Sequence, residues 1–221
     1  MEDTDMKKNK LKLLIGILLL SSLMIQAQDV VNEFQSRTAV GLTYSPIKKL
    51  KLNLTPELRF DENFSLDKYL LEAGASYKLS KLIALGANYR FVANPRETKE
   101  TEYFSRYAIY ATLKKNYGDF EPSLRLAYAN YADNDDDETD NYLRFKASVK
   151  YDIPKCKINP VISAEAYQNL SVKELTKMRY SIGANYKLFK KNYISVKYKF
   201  DYYRTEYKNR HIISLEYKIK L

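Results

Sequence analysis

Few residues in this chain have the types and spacing that chemistry needs. His211 is the only histidine, and Ser214 stands three residues beyond it. A His-x-Ser pair on one strand, as lipid hydrolases of outer membranes use, puts base and nucleophile on one face. A spacing of three puts them on opposite faces. A histidine at a strand end accounts for His211 without catalysis, so no enzyme is expected. Asp133, Asp135, Asp136, Asp137, Glu138 and Asp140 crowd the segment Ala132–Asp140. Such oxygens suit a hard cation such as Ca²⁺, and Asp133, Asp135 and Asp137 are weak candidates for ligands. An EF-hand wants Gly at its sixth position and Glu at its twelfth, where this chain has Glu138 and Arg144. A solvated block of like charge is the plainer account, and no metal or other cofactor is expected. No Gly-rich phosphate loop, zinc spacing or catalytic triad appears.

The remaining ionisable residues form a pattern. Arg37, Arg59, Arg90, Arg106, Arg125, Arg144, Lys197 and Lys199 fall on alternate positions with Lys51, Lys146 and Arg210, and with the fewer acids Glu57, Glu72, Glu121, Glu165, Asp201 and Glu216. Apolar residues fill the positions between. Along Arg179–Arg204, Tyr180, Ile182, Ala184, Tyr186 and Leu188 oppose Arg179, Ser181, Gly183, Asn185 and Lys187. After Phe189–Asn192, Ile194, Val196, Tyr198, Phe200 and Tyr202 oppose Ser195, Lys197, Lys199 and Asp201. A period of two is that of a β-strand, and two such runs about a tight turn make a hairpin. The pattern fills most of the chain, and the short turns centre near Ile47, Ser80, Asn116, Pro154 and Lys190. Short turns alternate with longer polar loops at Asp61–Lys68, Val92–Thr101, Ala132–Asp140 and Asn169–Lys177. Eleven strands can be counted. A bacterial barrel is expected to have an even number, so a strand is missing or split, or the place of Gln28–Glu33 is misjudged. Pro56 and Pro160 make two strands weak, because each removes a ladder donor.

Composition agrees with this reading. The 221 residues include 21 Tyr, 6 Gly and no Trp, and tyrosine with β-branched residues favours strands. Nothing marks a second domain. The one cysteine, Cys156, allows no intrachain disulfide. The net charge of +10 is spread over the strands instead of gathered in a patch, so no nucleic-acid partner is expected. Lys7, Lys8, Lys10 and Lys12 precede the apolar run Leu13–Leu20, and Ala27 follows. That order predicts a secretory signal over residues 1–27, cleaved after Ala27, and a mature barrel over 28–221.

Alternation alone does not say which face is inside. A soluble barrel buries its apolar face, and a membrane barrel turns it to lipid. Four features favour the membrane. Arg210–Leu221 alternates to its last residue (Ile213, Leu215, Tyr217, Ile219, Leu221), as expected of a barrel that closes on this strand. The chain carries an export signal. Its apolar faces end in aromatics: Tyr44, Tyr77, Tyr151, Tyr186 and Tyr217 towards one end, Phe60, Tyr89, Phe91, Tyr128 and Tyr202 towards the other. Gly41, Gly74, Gly86 and Gly183 all lie on the polar face, where a crowded lumen needs small residues. The expected fold is all-β: an antiparallel up-and-down transmembrane β-barrel of about 10–12 strands in the outer membrane.

The run FQSRTAVGLTYSPIKKLKLNLTPELRFDEN, with Glu57-Leu58-Arg59-Phe60, and hairpins of the LEAGASYKLSKLIALGANYRF type, with Gly86–Arg90, resemble domain of unknown function 2490. That is a family of bacterial outer-membrane β-barrels. The resemblance implies a fold and an address over the whole mature chain, and brings no site residues with it.

The function expected is porin-like but non-enzymatic: a structural component, or a narrow channel whose surplus of Arg and Lys favours anions. The alternatives are a lipid-modifying enzyme or a surface ligand-binding barrel. In a filled bore Arg59, Arg90, Arg125 and Arg144 would pair with Glu57, Glu72 and Glu121. The balance leans to filling, since side chains nearly fill a barrel of this strand number. The expected partners are outer-membrane lipid, lipopolysaccharide and the barrel-assembly machinery. Any small-molecule ligand is unknown.

Overall fold

The computed structural model describes residues 30–95, 100–132, 140–204 and 208–221. Eleven strands run through them: β1 (Val31–Ile47), β2 (Leu50–Phe60), β3 (Leu66–Lys78), β4 (Ile83–Asn94), β5 (Glu102–Lys114), β6 (Phe120–Ala129), β7 (Tyr142–Tyr151), β8 (Ile158–Asn169), β9 (Leu175–Lys187), β10 (Asn192–Tyr203) and β11 (Lys208–Lys220). Each pairs with its neighbours in sequence, and β1 closes the barrel against β11.

That closing pair corrects the expectation of an even, wholly antiparallel barrel. Eleven up-and-down strands begin and end in the same direction, so the last pair must be parallel. Its ladder runs from Val31↔Lys208 to Thr43↔Lys220. A parallel pair is slightly weaker per residue, and this seam is long, with thirteen paired positions. Among the described residues no strand is missing, and Val31–Glu33 extend β1. One consequence is geometric. Val31 lies at the end of the barrel that carries the longer connections, the loop end. Leu221 lies at the end with the short connections, the turn end.

Both doubtful prolines stay in their strands. The β1–β2 register runs through Ala39↔Glu57 and resumes at Leu42↔Leu54, leaving a gap where Pro56 has no donor to give. Pro160 pairs with Ala184 of β9, while the β7–β8 ladder stops one residue short of it at Lys150↔Val161. The connections are shorter than the sequence pattern predicts. Leu66–Lys68 belong to β3 and Val92–Asn94 to β4. Asp61 Oδ1 accepts the amides of Asn63 and Ser65 (both 2.9 Å) and so closes the β2–β3 loop locally.

The two faces sort by polarity. Leu54, Leu58, Leu71, Leu85, Ile109, Leu126, Phe145, Ile162, Ile182, Val196, Ile213 and Leu215 are all exposed. Arg37, Arg59, Arg106, Arg179, Arg210, Lys177 and Asp201 are buried. The apolar faces form the outer wall, and the polar faces line the bore.

Candidate functional site: the bore

The bore has two unlike halves. Near the loop end every strand contributes bulk. Gln35, Arg37, Arg59, Lys68, Leu70, Val92, Arg106, Ala129, Tyr142, Glu165, Tyr167, Lys177, Arg179, Asp201, Tyr203, Arg210 and Ile212 are buried there. After β6 the chain turns inward, and Tyr131 and Ala132 join this layer, both buried. Lys177 Nζ donates to the Ala132 carbonyl.

Carboxylates and aromatic rings share the task of holding the cations. Asp201 accepts Arg179 Nε at 2.5 Å and Nη2 at 2.6 Å, with Lys177 Nζ at 3.5 Å. Glu165 accepts Arg144 Nε and Nη2 at 3.0 and 2.8 Å, and Lys146 Nζ lies 3.5 Å away. Glu33 holds Arg210, Glu57 holds Arg59 and Glu72 holds Arg90, each at 2.6–2.8 Å. Tyr131 lies under the guanidinium groups of Arg90 and Arg144, at 5.0 and 5.2 Å. Tyr167 faces Arg144, Lys177 and Arg179 at 4.8, 4.3 and 5.7 Å. Tyr203 faces Lys177, Lys208 and Arg210 at 5.3, 5.0 and 5.7 Å. A desolvated cation over a ring gains about 2 kcal/mol, so three rings moderate the cost of burying more cations than acids. One cavity in this layer, lined by Arg59, Arg90, Arg106 and Tyr131 among others, measures about 20 Å³. That is room for about one water.

Towards the turn end the inward positions are small. Gly41, Asn53, Gly74, Ser76, Ala84, Gly86, Ser123, Ser148, Ser163, Gly183 and Asn185 line the wall. Two of the glycines are needed for close approach. A Cβ on Gly86 would sit 2.5 Å from the Tyr110 ring, and one on Gly183 would sit 2.3 Å from the Val196 carbonyl oxygen. Tyr110 therefore lies flat across Gly86, and Arg125 stacks on it at 4.5 Å. Water reaches this level beside β6, where Arg125 is exposed. Above the short turns the long side chains are lysines. Lys51, Lys78, Lys114, Lys187 and Lys220 are exposed, and Lys150, Lys197 and Lys218 are half-buried. Glu121 binds Lys114 (2.6 Å) and Lys150 (3.3 Å), and Glu216 binds Lys218 (3.1 Å). Lys51, Lys78, Lys187 and Lys197 have no ion pair among the described residues. Lys51 lies within the fields of Lys78, Lys114 and Lys220.

The pairing expected from sequence holds for Arg59 and Arg90 and fails for the other two arginines. Arg144 takes Glu165. Among the described residues Arg125 takes no glutamate, and it donates to Thr112 Oγ1 at 3.1 Å. Glu121, at the turn end, is claimed by lysines. Lys199 pairs in register with Ser181 and Ile212. Arg106 Nη1 approaches the Asn130 carbonyl at 3.5 Å. Sequence reasoning missed Tyr131, Tyr167 and Tyr203. The last two share parity with the charged face, a signal that could have found them.

His211 lies on the other face of β11 from Ser214. It stacks on Phe34 (4.9 Å), its Nδ1 bonds the Tyr198 hydroxyl at 2.6 Å, and its Nε2 meets Asn32 Oδ1 at 3.3 Å. Asp133, Asp135 and Asp137 lie outside the described residues, as does the signal segment. Among the described residues no cluster suits a metal ion.

A barrel with charge inside and apolar residues outside is the setting in which the family match has meaning. The model of a protein family of unknown function, DUF2490, matches residues 34–212, from the start of β1 into β11. The chain belongs to that family. The match takes in β2 to β10 whole, most of β1 and the first residues of β11. No curated protein matches the chain.

Proposed function

We propose that this DUF2490 member is an integral outer-membrane β-barrel, exported by a cleaved signal, that acts as a non-enzymatic structural component. The observation that carries the reading is the inverted polarity of the wall. A soluble barrel with this many exposed Leu, Ile and Phe side chains would leave its whole circumference as one apolar patch, far beyond what soluble monomers tolerate. Strand lengths support it. Strands of 10–13 residues dominate, and at about 3.3 Å per residue and a tilt of about 40° they span roughly 25–33 Å. Lipid and lipopolysaccharide would then meet the outer wall, and insertion would need the barrel-assembly machinery. The packed layer at the loop end favours a closed barrel over a pore.

Membrane fractionation with heat-modifiability on gels tests the location. Outer-membrane recovery with a heat-modifiable band is expected, and recovery as a soluble periplasmic protein would overturn the reading. A narrow anion-favouring channel is the second reading, supported by the lysines of the turn half. It requires the loop-end layer to open, and a planar-bilayer trace separates the two.

A further inference from the structure

The half of the bore that opens at the turn end has a shape and a charge that the structural role does not use. Its wall is of Gly, Ala, Ser and Asn; Tyr110, Lys197 and Glu216 cover Gly86, Gly183 and Gly41, and water reaches Ser123, Ser148 and Ser163 on the β6–β8 side. Its mouth is ringed by lysines from β2, β3, β5, β7, β9 and β11, and Lys197 of β10 lies deeper, level with Gly183. Its floor is the packed layer of Arg179, Asp201 and Tyr167. We propose that this basin is a binding site for a soluble, multiply charged anion of the phosphate class, which enters and leaves by the turn end.

Three observations carry this. First, the site is blind. Were it a conduit, the small residues would continue to the loop end, where large side chains replace them. Second, the charge is only partly neutralised from within. Glu121 and Glu216 engage Lys114, Lys150 and Lys218, and Lys51, Lys78, Lys187 and Lys197 carry no ion pair among the described residues. Lysines gathered at one end of the barrel raise the local potential and gain from a counter-ion that bridges several of them. Third, the residue type suits the ligand. Ammonium groups on flexible stems act as point charges and adapt to phosphate oxygens in several directions, unlike the fixed fork of arginine. The loop half uses mostly arginine for its internal pairs, and the basin mostly lysine. A lipid headgroup is a poor occupant, because the strand wall separates the basin from the bilayer and leaves no place for its acyl chains.

The test is calorimetric titration of inorganic tripolyphosphate into the full mature barrel in zwitterionic detergent. Saturable binding is expected, weakening severalfold between 50 and 500 mM salt because the charges are partly exposed. Orthophosphate, with fewer charges, should bind at least tenfold more weakly. The triple variant Lys51→Gln, Lys78→Gln, Lys220→Gln should lose at least tenfold in affinity while keeping the wild-type heat-modifiable band. A second triple variant at the turns, Lys81→Gln, Lys115→Gln, Lys190→Gln, should bind as wild type does. A measurement on the unaltered protein guards against misfolding: tripolyphosphate should protect Lys51 and Lys78, and not Lys81, from acetylation read by mass spectrometry. Absence of saturable binding, equal loss in both triple variants, or uniform protection would overturn the proposal. The titration reads the bore and fractionation reads the outer wall, so either can fail alone.

Discussion

The loop-end layer depends on Asp201 more than on any other acid, and its removal should show this. The side chain is 0% exposed and is shared by Arg179 and Lys177, which are themselves buried. Truncation in Asp201→Ala leaves both cations without their common carboxylate in a site water does not reach. Breaking a buried pair in this way costs about 3–5 kcal/mol. For a chain of this size 1 kcal/mol moves a melting midpoint by about 2–4 °C, so a fall of roughly 6–20 °C is expected. Asp201→Asn keeps the volume and loses the charge, and it should lie close to the alanine variant. Glu72→Ala removes the partner of Arg90 where the two side chains are 27% and 18% exposed, so it should cost about 1 kcal/mol and only a few degrees. The assay is the temperature at which the compact gel form converts to the slow one. If Asp201→Ala melts within 2 °C of wild type, or no lower than Glu72→Ala, the packed ionic layer is wrong.

Other outcomes follow from the same geometry. Gly183→Ala should destabilise by about 1–3 kcal/mol, since its Cβ meets a backbone oxygen, while Gly74→Ala, with 3.4 Å of room, should be nearly silent in the same melting assay. Because β1 is parallel to β11, a cysteine placed before Val31 in a Cys156→Ser background should react with an impermeant reagent on whole cells. The native Cys156, exposed in the β7–β8 turn at the opposite end, should react only after lysis. In planar bilayers the purified barrel should show no steady conductance, and an ohmic, anion-selective trace would favour the channel reading.

The strands were legible because each wall position has one chemistry: Ile182 and Val196 must face away from Ser181 and Lys197, and a slip by one residue would reverse every contact. The closing seam was not legible, since alternation along Val31–Thr43 is the same for a parallel and an antiparallel partner. Only the count of eleven carried that information, and the general preference for even barrels argued against it. The bore's division was half legible. The cations were visible as a set, but their sorting into arginines packed near Tyr131, Tyr167 and Tyr203 and lysines at the turn end depends on register. Tyrosine on a charged face looks like a girdle residue until the opposite wall is in place. The inward turn after Ala129 had no periodic signal at all, since Asn130–Ala132 belong to no strand.

The claim on which the account rests is that the apolar face meets lipid. Spin labels placed singly at Leu126, Ile182 and Leu215 on the outer wall, and at Ser123, Ser163 and Ser181 in the bore, test it in vesicles in the Cys156→Ser background. The outer positions should relax faster with oxygen than with a polar nickel chelate, and the bore positions should show the reverse. If the outer labels meet the chelate as readily as the bore labels do, the wall faces water and the barrel does not lie in a membrane.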